Sequence, residues 1–337
     1  MQKLLFNNLI NRIWYSNNPA YILLIPFSLI YRLFIKVRKL LYQYGVFTIN
    51  HVPVPVIIVG NFTVGGTGKT PFVIWLAEYL AEQGYKPGII ASGYGAKKLS
   101  TIQKVTSNSN PEYVGDESVL IARRTGLPVV VSPDRYKSAR QLLEFTDCNM
   151  LICDDGLQHL ALGRNLEIAM IDGDRKFGNN WLLPAGPLRE PSNRASTVDL
   201  MISNNTGLIN AHQMLIEYCE LKSLTDESKS ISVESFKYKQ VHVISGIANP
   251  DRLHNYLVSK GVKIIPHIFP DHHSFISADL KFDDDFPIVM TEKDAVKCFK
   301  FSNDNMWYLP IQVAFDDVFY QHINTLIRDK INGQKIT

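Results

Sequence analysis

Short apolar runs recur along the middle of this chain, at residues 87–91, 127–132, 150–153, 166–171 and 200–203, with segments of helical spacing such as 117–125 and 137–145 between some of them. Runs this short and this uniformly apolar predict strands buried on both faces. The intervening helices then make the fold class α/β, with a doubly wound, mainly parallel sheet. From about Thr206 to Lys239 the pattern loosens and turns polar, most of all over 222–230, and predicts a connection. Strands are expected again at 241–246, 262–268, 288–290 and 307–313. A last helix from about Asp316 to Ile331 carries Val318, Phe319, Ile323, Leu326 and Ile327 along one face, enough to dock it. The expected division is a core over residues 46–205, a linker over 206–239 and a smaller α/β unit over 240–337.

The N-terminal stretch follows a different pattern. Between Arg12 and Arg32 lie 19 uncharged residues, among them Trp14, Tyr15 and the apolar run from Ala20 to Tyr31. That is the short limit for a spanning helix, and Asn17, Asn18, Pro19 and Pro26 interrupt it. Arg32, Lys36, Arg38 and Lys39 then alternate with Leu33, Phe34, Ile35, Val37, Leu40 and Leu41. A helix lying in the bilayer interface over residues 1–45, its cations meeting an anionic membrane surface, accounts for this pattern; a helix packed on the domain's own core is the alternative. Charge sharpens the picture, because residues 1–50 hold six basic residues and no acid, whereas the whole chain carries only +3. A secretory signal is not expected, since Asn7, Asn8 and Asn11 interrupt any apolar core. The cysteines, Cys148, Cys153, Cys219 and Cys298, lack metal-ligand spacing and read as reduced thiols in a cytosolic compartment. Neither a nucleic-acid partner nor an obligate protein partner is expected.

Chemistry concentrates where the β-branched run Val56 to Val59 ends in Gly60-Asn61-Phe62-Thr63-Val64-Gly65-Gly66-Thr67-Gly68-Lys69-Thr70 and a helical pattern follows from Phe72. Strand, glycine-rich loop and helix together form a polyphosphate cradle. Backbone N–H groups from Thr63 to Gly68 and the positive end of the helix dipole receive phosphate oxygens. Lys69 can reach the β- and γ-phosphates, and the Thr70 hydroxyl can ligate Mg²⁺. One departure stands out: the general pattern opens with Gly where this chain has Thr63.

Four further constellations carry chemistry. The strand Met150-Leu151-Ile152-Cys153 delivers Asp154 and Asp155 at its carboxyl end, where a nucleotide-binding sheet places a Mg²⁺ ligand; capping of the next turn is the plainer reading. Asp116 and Glu117 stand before an apolar-periodic stretch, either as helix-capping acids or as a carboxylate aimed at an incoming hydroxyl. In the loop 269–275, one His oriented by a carboxylate is a better functional candidate than a joint metal site of His272 and His273, whose side chains would face opposite ways on a regular strand; a surface loop with two ordinary histidines is the plainer reading. The proline-rich loop 183–191 offers Arg189 as a phosphate clamp and Glu190 as a metal ligand or orienting group, or else an exposed ion pair. Thr291 with Asp294 reads as a capping pair opening a helix.

Taken together, Asn61 through Pro71, Gly93-Tyr94-Gly95, Val114 through Glu117, Pro133-Asp134-Arg135, Asp154 through His159, Pro184 through Glu190, Asp271-His272 and Thr291 through Lys297 resemble the tetraacyldisaccharide 4′-kinase family, which phosphorylates a membrane-embedded glycolipid in the lipid A pathway. The resemblance implies a RecA-like P-loop core, a smaller C-terminal unit, and peripheral or monotopic attachment to the cytoplasmic face of the inner membrane. It also implies ATP and Mg²⁺ as cofactors, with Lys69 and Thr70 holding them and Asp154, Asp155 and Glu190 around the metal and phosphates. Asp116 paired with His272 would act on the sugar 4′-hydroxyl of an acylated glucosamine disaccharide 1-phosphate. Glu117, Arg135, His159, Arg189 and Asp271 would line the substrate and phosphate positions. Ser92 departs from the family, which commonly has Arg before Gly-Tyr-Gly; the contact is then absent or supplied by Arg135, Lys97 or Lys98.

The expected function is therefore transfer of the ATP γ-phosphoryl group to that glycolipid at the membrane surface. A membrane-associated P-loop switch that positions a protein partner is the rival, and Val64, where such switches carry a signature Lys, argues against it.

Overall fold

The computed structural model describes residues 10–16, 18–97 and 99–332. Lys98, considered above as a substitute for the Arg missing at Ser92, lies outside them, as do Asn7, Asn8 and Asn17. In chain order the first strands are β1 (Val56–Asn61), β2 (Pro87–Ala91), β3 (Gln103–Val105), β4 (Val129–Val131), β5 (Met150–Asp154), β6 (Leu166–Asp172), β7 (Leu200–Asn204) and β8 (His212–Tyr218). The remainder are β9 (Leu221–Ser223), β10 (Ser230–Ile231), β11 (Gln240–Ser245), β12 (Lys263–Ile268), β13 (Ile288–Thr291), β14 (Met306–Leu309) and β15 (Ile311–Ala314).

A nine-stranded sheet runs in the order β15-β8-β7-β6-β1-β5-β2-β4-β3, and a six-stranded sheet in the order β10-β9-β14-β13-β11-β12. The centre of the large sheet is parallel, with Val59 of β1 opposite both Asp154 of β5 and Ile168 of β6. Antiparallel β3 and β15 close its two edges. Because β5 and β2 lie on one side of β1 and β6 and β7 on the other, a crevice opens at the carboxyl end of β1, where open α/β sheets bind ligands.

Alternate residues of each strand serve opposite faces. Ile57, Val59, Ile89, Ile152 and Ile168 pack under the helices Lys69–Glu82, Asp116–Thr125 and Asp317–Ile327. On the other face Val56, Ile58, Ile90, Leu151 and Cys153 pack with Ala139 and Leu142 of the helix Arg135–Glu144 and with Tyr31 and Ile35 of the helix Ile25–Gln43. That N-terminal helix buries only Ser28 among its own residues and leaves Phe27, Ile30, Leu33 and Phe34 exposed. Together with the turn before it, Pro19–Gln43 is long and apolar enough to cross a membrane.

Three expectations about division are corrected. The strand expected over 307–313 is two strands, broken at Pro310, which has no N–H to continue a ladder: β14 belongs to the small sheet and β15 to the large one. The terminal helix follows β15 and docks on the large sheet, with Phe319, Ile323 and Ile327 buried and the Trp75 ring 5.3 Å from Phe319; Val318 faces solvent. The polar span 206–239 contains β8, β9 and β10 and is no free linker. β8 is largely unburied along its length and β9 and β10 have only three and two residues, so none of them leaves a continuous apolar run in the sequence. The small sheet is thus inserted between β8 and β15. The two crossings lie side by side, the Cys219 N–H donating to the Pro310 carbonyl at 3.0 Å.

If the terminal helix is integral to the large core, Phe319→Ala should cost about 3–5 kcal/mol in urea unfolding. A loss below roughly 1 kcal/mol would show the helix to be dispensable.

Candidate active site

The phosphate loop is shaped by the residue that ends β1. Asn61 is fully buried, and its side-chain amide donates to the Gly65 carbonyl at 3.3 Å and to Thr67 Oγ1 at 3.2 Å, pinning the loop from inside. Sequence reasoning assigned Asn61 no role; an amide closing an otherwise apolar strand was the available signal. Gly68 sits at φ 84°, and an added Cβ would lie 2.8 Å from both Asn204 Nδ2 and Met214 Cε, so no other residue fits where the helix Lys69–Glu82 begins. Thr63 stands where a turn glycine was expected because the chain is extended there. It bridges Leu188, the Val64 N–H donates to the Pro187 carbonyl at 2.9 Å, and the Arg189 N–H donates to the Phe62 carbonyl at 2.6 Å. The proline-rich loop is thereby sewn to the phosphate loop, and Arg189 is delivered with it.

At the carboxyl end of β5 the two acids behave differently. Asp154 is buried and its Oδ1 has no hydrogen-bond partner. Burial, with the charges of Glu117 and Asp155, pushes its pKa up to about 7 against the pull of Lys69 and Arg135. Burial also raises Asp155, but Lys69 at 3.5 Å and the Arg189 guanidinium at 2.9 and 3.0 Å outweigh it and hold that carboxyl below its ordinary range. An orphaned buried carboxylate oxygen beside Lys69, with Thr70 in the first turn of the adjoining helix, is donor chemistry that suits a hard divalent cation. Glu190, expected around the metal and phosphates, accepts from Gln158 Nε2 at 2.9 Å, while its buried Oε2 has no hydrogen-bond partner among the described residues and lies 2.6 Å from Lys39 Nζ and 3.6 Å from Arg194 Nε as ion pairs.

Arg135 and His159 lie close to these acids. Arg135 Nη1 donates to the Ala91 and Ser132 carbonyls at 2.9 and 2.6 Å, while its buried Nε and Nη2 have no partner. Burial and then the Arg135 charge lower His159 to about 4, which leaves its imidazole neutral near pH 7. At the departure from the family pattern, Ser92 Oγ accepts from the Tyr94 N–H at 3.1 Å, and Lys97 is engaged with Glu112 at 2.8 Å.

The remaining group is assembled from both sheets. Asp116 and Glu117 head the helix Asp116–Thr125, after Gly115 at φ 87°, where an added Cβ would meet the Tyr94 carbonyl at 2.7 Å. From the loop after β12, His272 at φ 60° brings Nδ1 to 2.9 and 3.0 Å from the Asp116 carboxylate, while Asp271 Oδ2 stands 3.5 Å from its Nε2. The helix Glu292–Cys298 supplies Lys293, 3.0 Å from Glu117 and 3.5 Å from Asp271, and Lys297, 3.7 Å from Asp116. Lys297 Nζ is also 2.8 Å from Asp294 Oδ1, an ion pair whose angle leaves both atoms without a hydrogen bond. Burial alone would raise Asp116, but the hydrogen bond from His272 and the charges of Lys293 and Lys297 hold it down at about 2. Thr291 and Asp294 cap that helix as expected. A cavity of about 330 Å³ adjoins Asp116 and His272. An ionised carboxylate and an imidazole thus meet beside a cavity, with the adjoining Glu117 near enough to act on Asp154, an arrangement suited to orienting a hydroxyl for phosphoryl transfer.

The raised pKa of Asp154 has a stability consequence. Its folded value of about 7 exceeds its ordinary 3.8, so the folded state is favoured while Asp154 is protonated, and that advantage is lost as pH rises through about 7. In metal- and nucleotide-free protein, Asp154→Asn should raise Tm relative to wild type at about pH 8 and much less at about pH 5. A pH-independent difference would refute the raised pKa.

The tetraacyldisaccharide-1-P 4′-kinase family model matches residues 20–328. A tetraacyldisaccharide 4′-kinase of Nitrosococcus oceani is 46% identical over 323 residues, covering 96% of this chain and 95% of the relative. Its counterpart from Methylobacillus flagellatus is 43% identical over 320 residues, with 94% and 95% covered. Among solved structures, the apo-form LpxK of Aquifex aeolicus in complex with ATP superposes with a TM-score of 0.78 at 29% identity, covering 93% of this chain and 99% of that one. The chain belongs to the tetraacyldisaccharide 4′-kinase family.

Proposed function

We propose that this protein transfers the γ-phosphoryl group of ATP to the 4′-hydroxyl of a tetraacyldisaccharide 1-phosphate, the lipid A precursor. The observation that carries the reading is the Asp116–His272 pair, built from two sheets beside a cavity, with the adjoining Glu117 near enough to act on Asp154. In this reading the backbone from Thr63 to Gly68, with Lys69, holds the triphosphate, as the ATP-bound Aquifex relative suggests by likeness. Thr70 and Asp154 would hold Mg²⁺, which would supply charge neutralisation at the phosphates. Asp155 orients Lys69 and Arg189 toward the phosphates. The 4′-oxygen attacks the γ-phosphorus, its proton passes to the Asp116–His272 pair, and ADP leaves. Lys293 and Lys297 keep Asp116 ionised and in place. Positioning and electrostatics supply most of the barrier reduction, since proton removal typically contributes about 10²–10⁴-fold.

The helix Ile25–Gln43 fits attachment to the cytoplasmic face of the inner membrane, lying in the interface with Phe27, Ile30 and Phe34 turned outward and its basic residues toward anionic headgroups. A soluble nucleotide and a lipid headgroup then meet at one crevice without extraction of the lipid. Val64, exposed at the loop, remains the argument against a partner-positioning switch.

Asp116→Ala should retain ATP binding and lose about 10²–10⁴-fold in lipid phosphorylation, followed as phosphate gain on the glycolipid by mass spectrometry. Turnover near the wild-type rate would refute the assignment. Replacing Phe27, Ile30 and Phe34 by Ser should weaken co-sedimentation with anionic vesicles by about tenfold or more; unchanged sedimentation would count against interfacial docking.

A further inference from the structure

The N-terminal helix touches the folded body through polar groups aimed at one target. Ser28 Oγ donates to the Leu182 carbonyl at 2.8 Å, the Tyr31 hydroxyl to the Arg189 carbonyl at 3.3 Å, and Lys39 Nζ lies 2.6 Å from Glu190 Oε2. All three partners lie in, or directly before, the proline-rich loop that carries Arg189. From Lys39 the contacts continue inward without a break. Gln158 Nε2 donates to Glu190 Oε1 at 2.9 Å, Arg189 Nη1 donates to Gln158 Oε1 at 3.2 Å and to Asp155 at 2.9 and 3.0 Å, and Asp155 lies 3.5 Å from Lys69 Nζ.

Lys39 is the only member of this chain on the membrane-facing helix, and Glu190 depends on it. The Glu190 side chain is 4% exposed, and a carboxylate so buried is costly unless paired. Gln158 satisfies one oxygen; the other has no hydrogen bond and relies on ion pairing, with Lys39 at 2.6 Å and Arg194 only at 3.6 Å. Arg194 is moreover already engaged with Glu167 at 2.6 Å. Without Lys39, Glu190 keeps a buried charge with one distant cation, and the cheapest relief is movement of the loop toward solvent, which carries Arg189 with it.

We infer that Lys39 is a positioning residue for the nucleotide site: by neutralising Glu190 it fixes the proline-rich loop, so that the seating of the membrane helix is transmitted to Arg189, Asp155 and Lys69. The inference rests on the nucleotide reading of that site. Lys36, on the same helix with no partner drawn from the loop, provides the control for charge alone.

The test measures binding of a non-hydrolysable ATP analogue and of anionic vesicles for Lys39→Met, Lys39→Arg, Lys36→Met and the double variant Lys39→Met with Glu190→Gln. Lys39→Met should weaken analogue binding by roughly ten- to hundred-fold, as loss of a positioning contact does. Its vesicle binding should fall no further than that of Lys36→Met. Lys39→Arg should stay near wild type, and the double variant should recover most of the loss because Gln leaves no buried charge to relieve. Equal analogue affinity in Lys39→Met and Lys36→Met overturns the inference, as does a double variant no better than Lys39→Met alone. Wild-type protein that failed to bind the analogue would instead overturn the nucleotide reading.

Discussion

The ionised carboxylate of Asp116 is the constraint on which the rest of the site depends. A carboxylate this deeply buried is tolerated only when cations or hydrogen-bond donors surround it, and its own half of the molecule supplies only the Glu117 N–H at 2.9 Å and no cation. His272, Lys293 and Lys297 all come from the inserted unit. Closure of the two sheets is therefore written into the electrostatics of one residue. Arg124 with Glu292, a two-pronged pair at 3.1 and 2.9 Å, holds the same interface from the side. Neither half of the molecule holds a complete acceptor site by itself.

A second dependence joins the phosphate loop to its surroundings. Nucleotide loops usually gain their shape from glycine, but here half of the shape comes from backbone pairing between residues 62–64 and the loop 187–189. That exchange explains Thr63 and makes the placement of Arg189 a matter of main-chain registry, with side-chain packing secondary. It also brings the N-terminal helix, which leans on the same loop, into the nucleotide site.

Much of this was legible in the sequence for physical reasons. Strands β1 and β5 are buried on both faces and leave continuous apolar runs; the glycine-rich loop after β1, the two acids at the end of β5 and the capping pair Thr291–Asp294 are local and read directly. What was not legible depends on partners far away in sequence. Pro310 marks a break, but not that the chain changes sheets there. Glu190 beside Arg189 suggested a metal ligand or orienting group, and only the fold shows Gln158 on one of its oxygens and the Lys39 ammonium 2.6 Å from the other. The amphipathic face of the terminal helix was visible, whereas its target, the Trp75 and Phe315 side of the large sheet, was not.

The paired crossings at Cys219 and Pro310 have a mechanical side. A unit attached by one strand can swivel in any direction, but two adjoining strands tied by a hydrogen bond behave as a leaf hinge, free about one axis and stiff in torsion. Any opening of the inserted unit is thereby confined to a single arc. Were the unit to open about that axis, the imidazole of His272 would leave and rejoin the Asp116 carboxylate along one path.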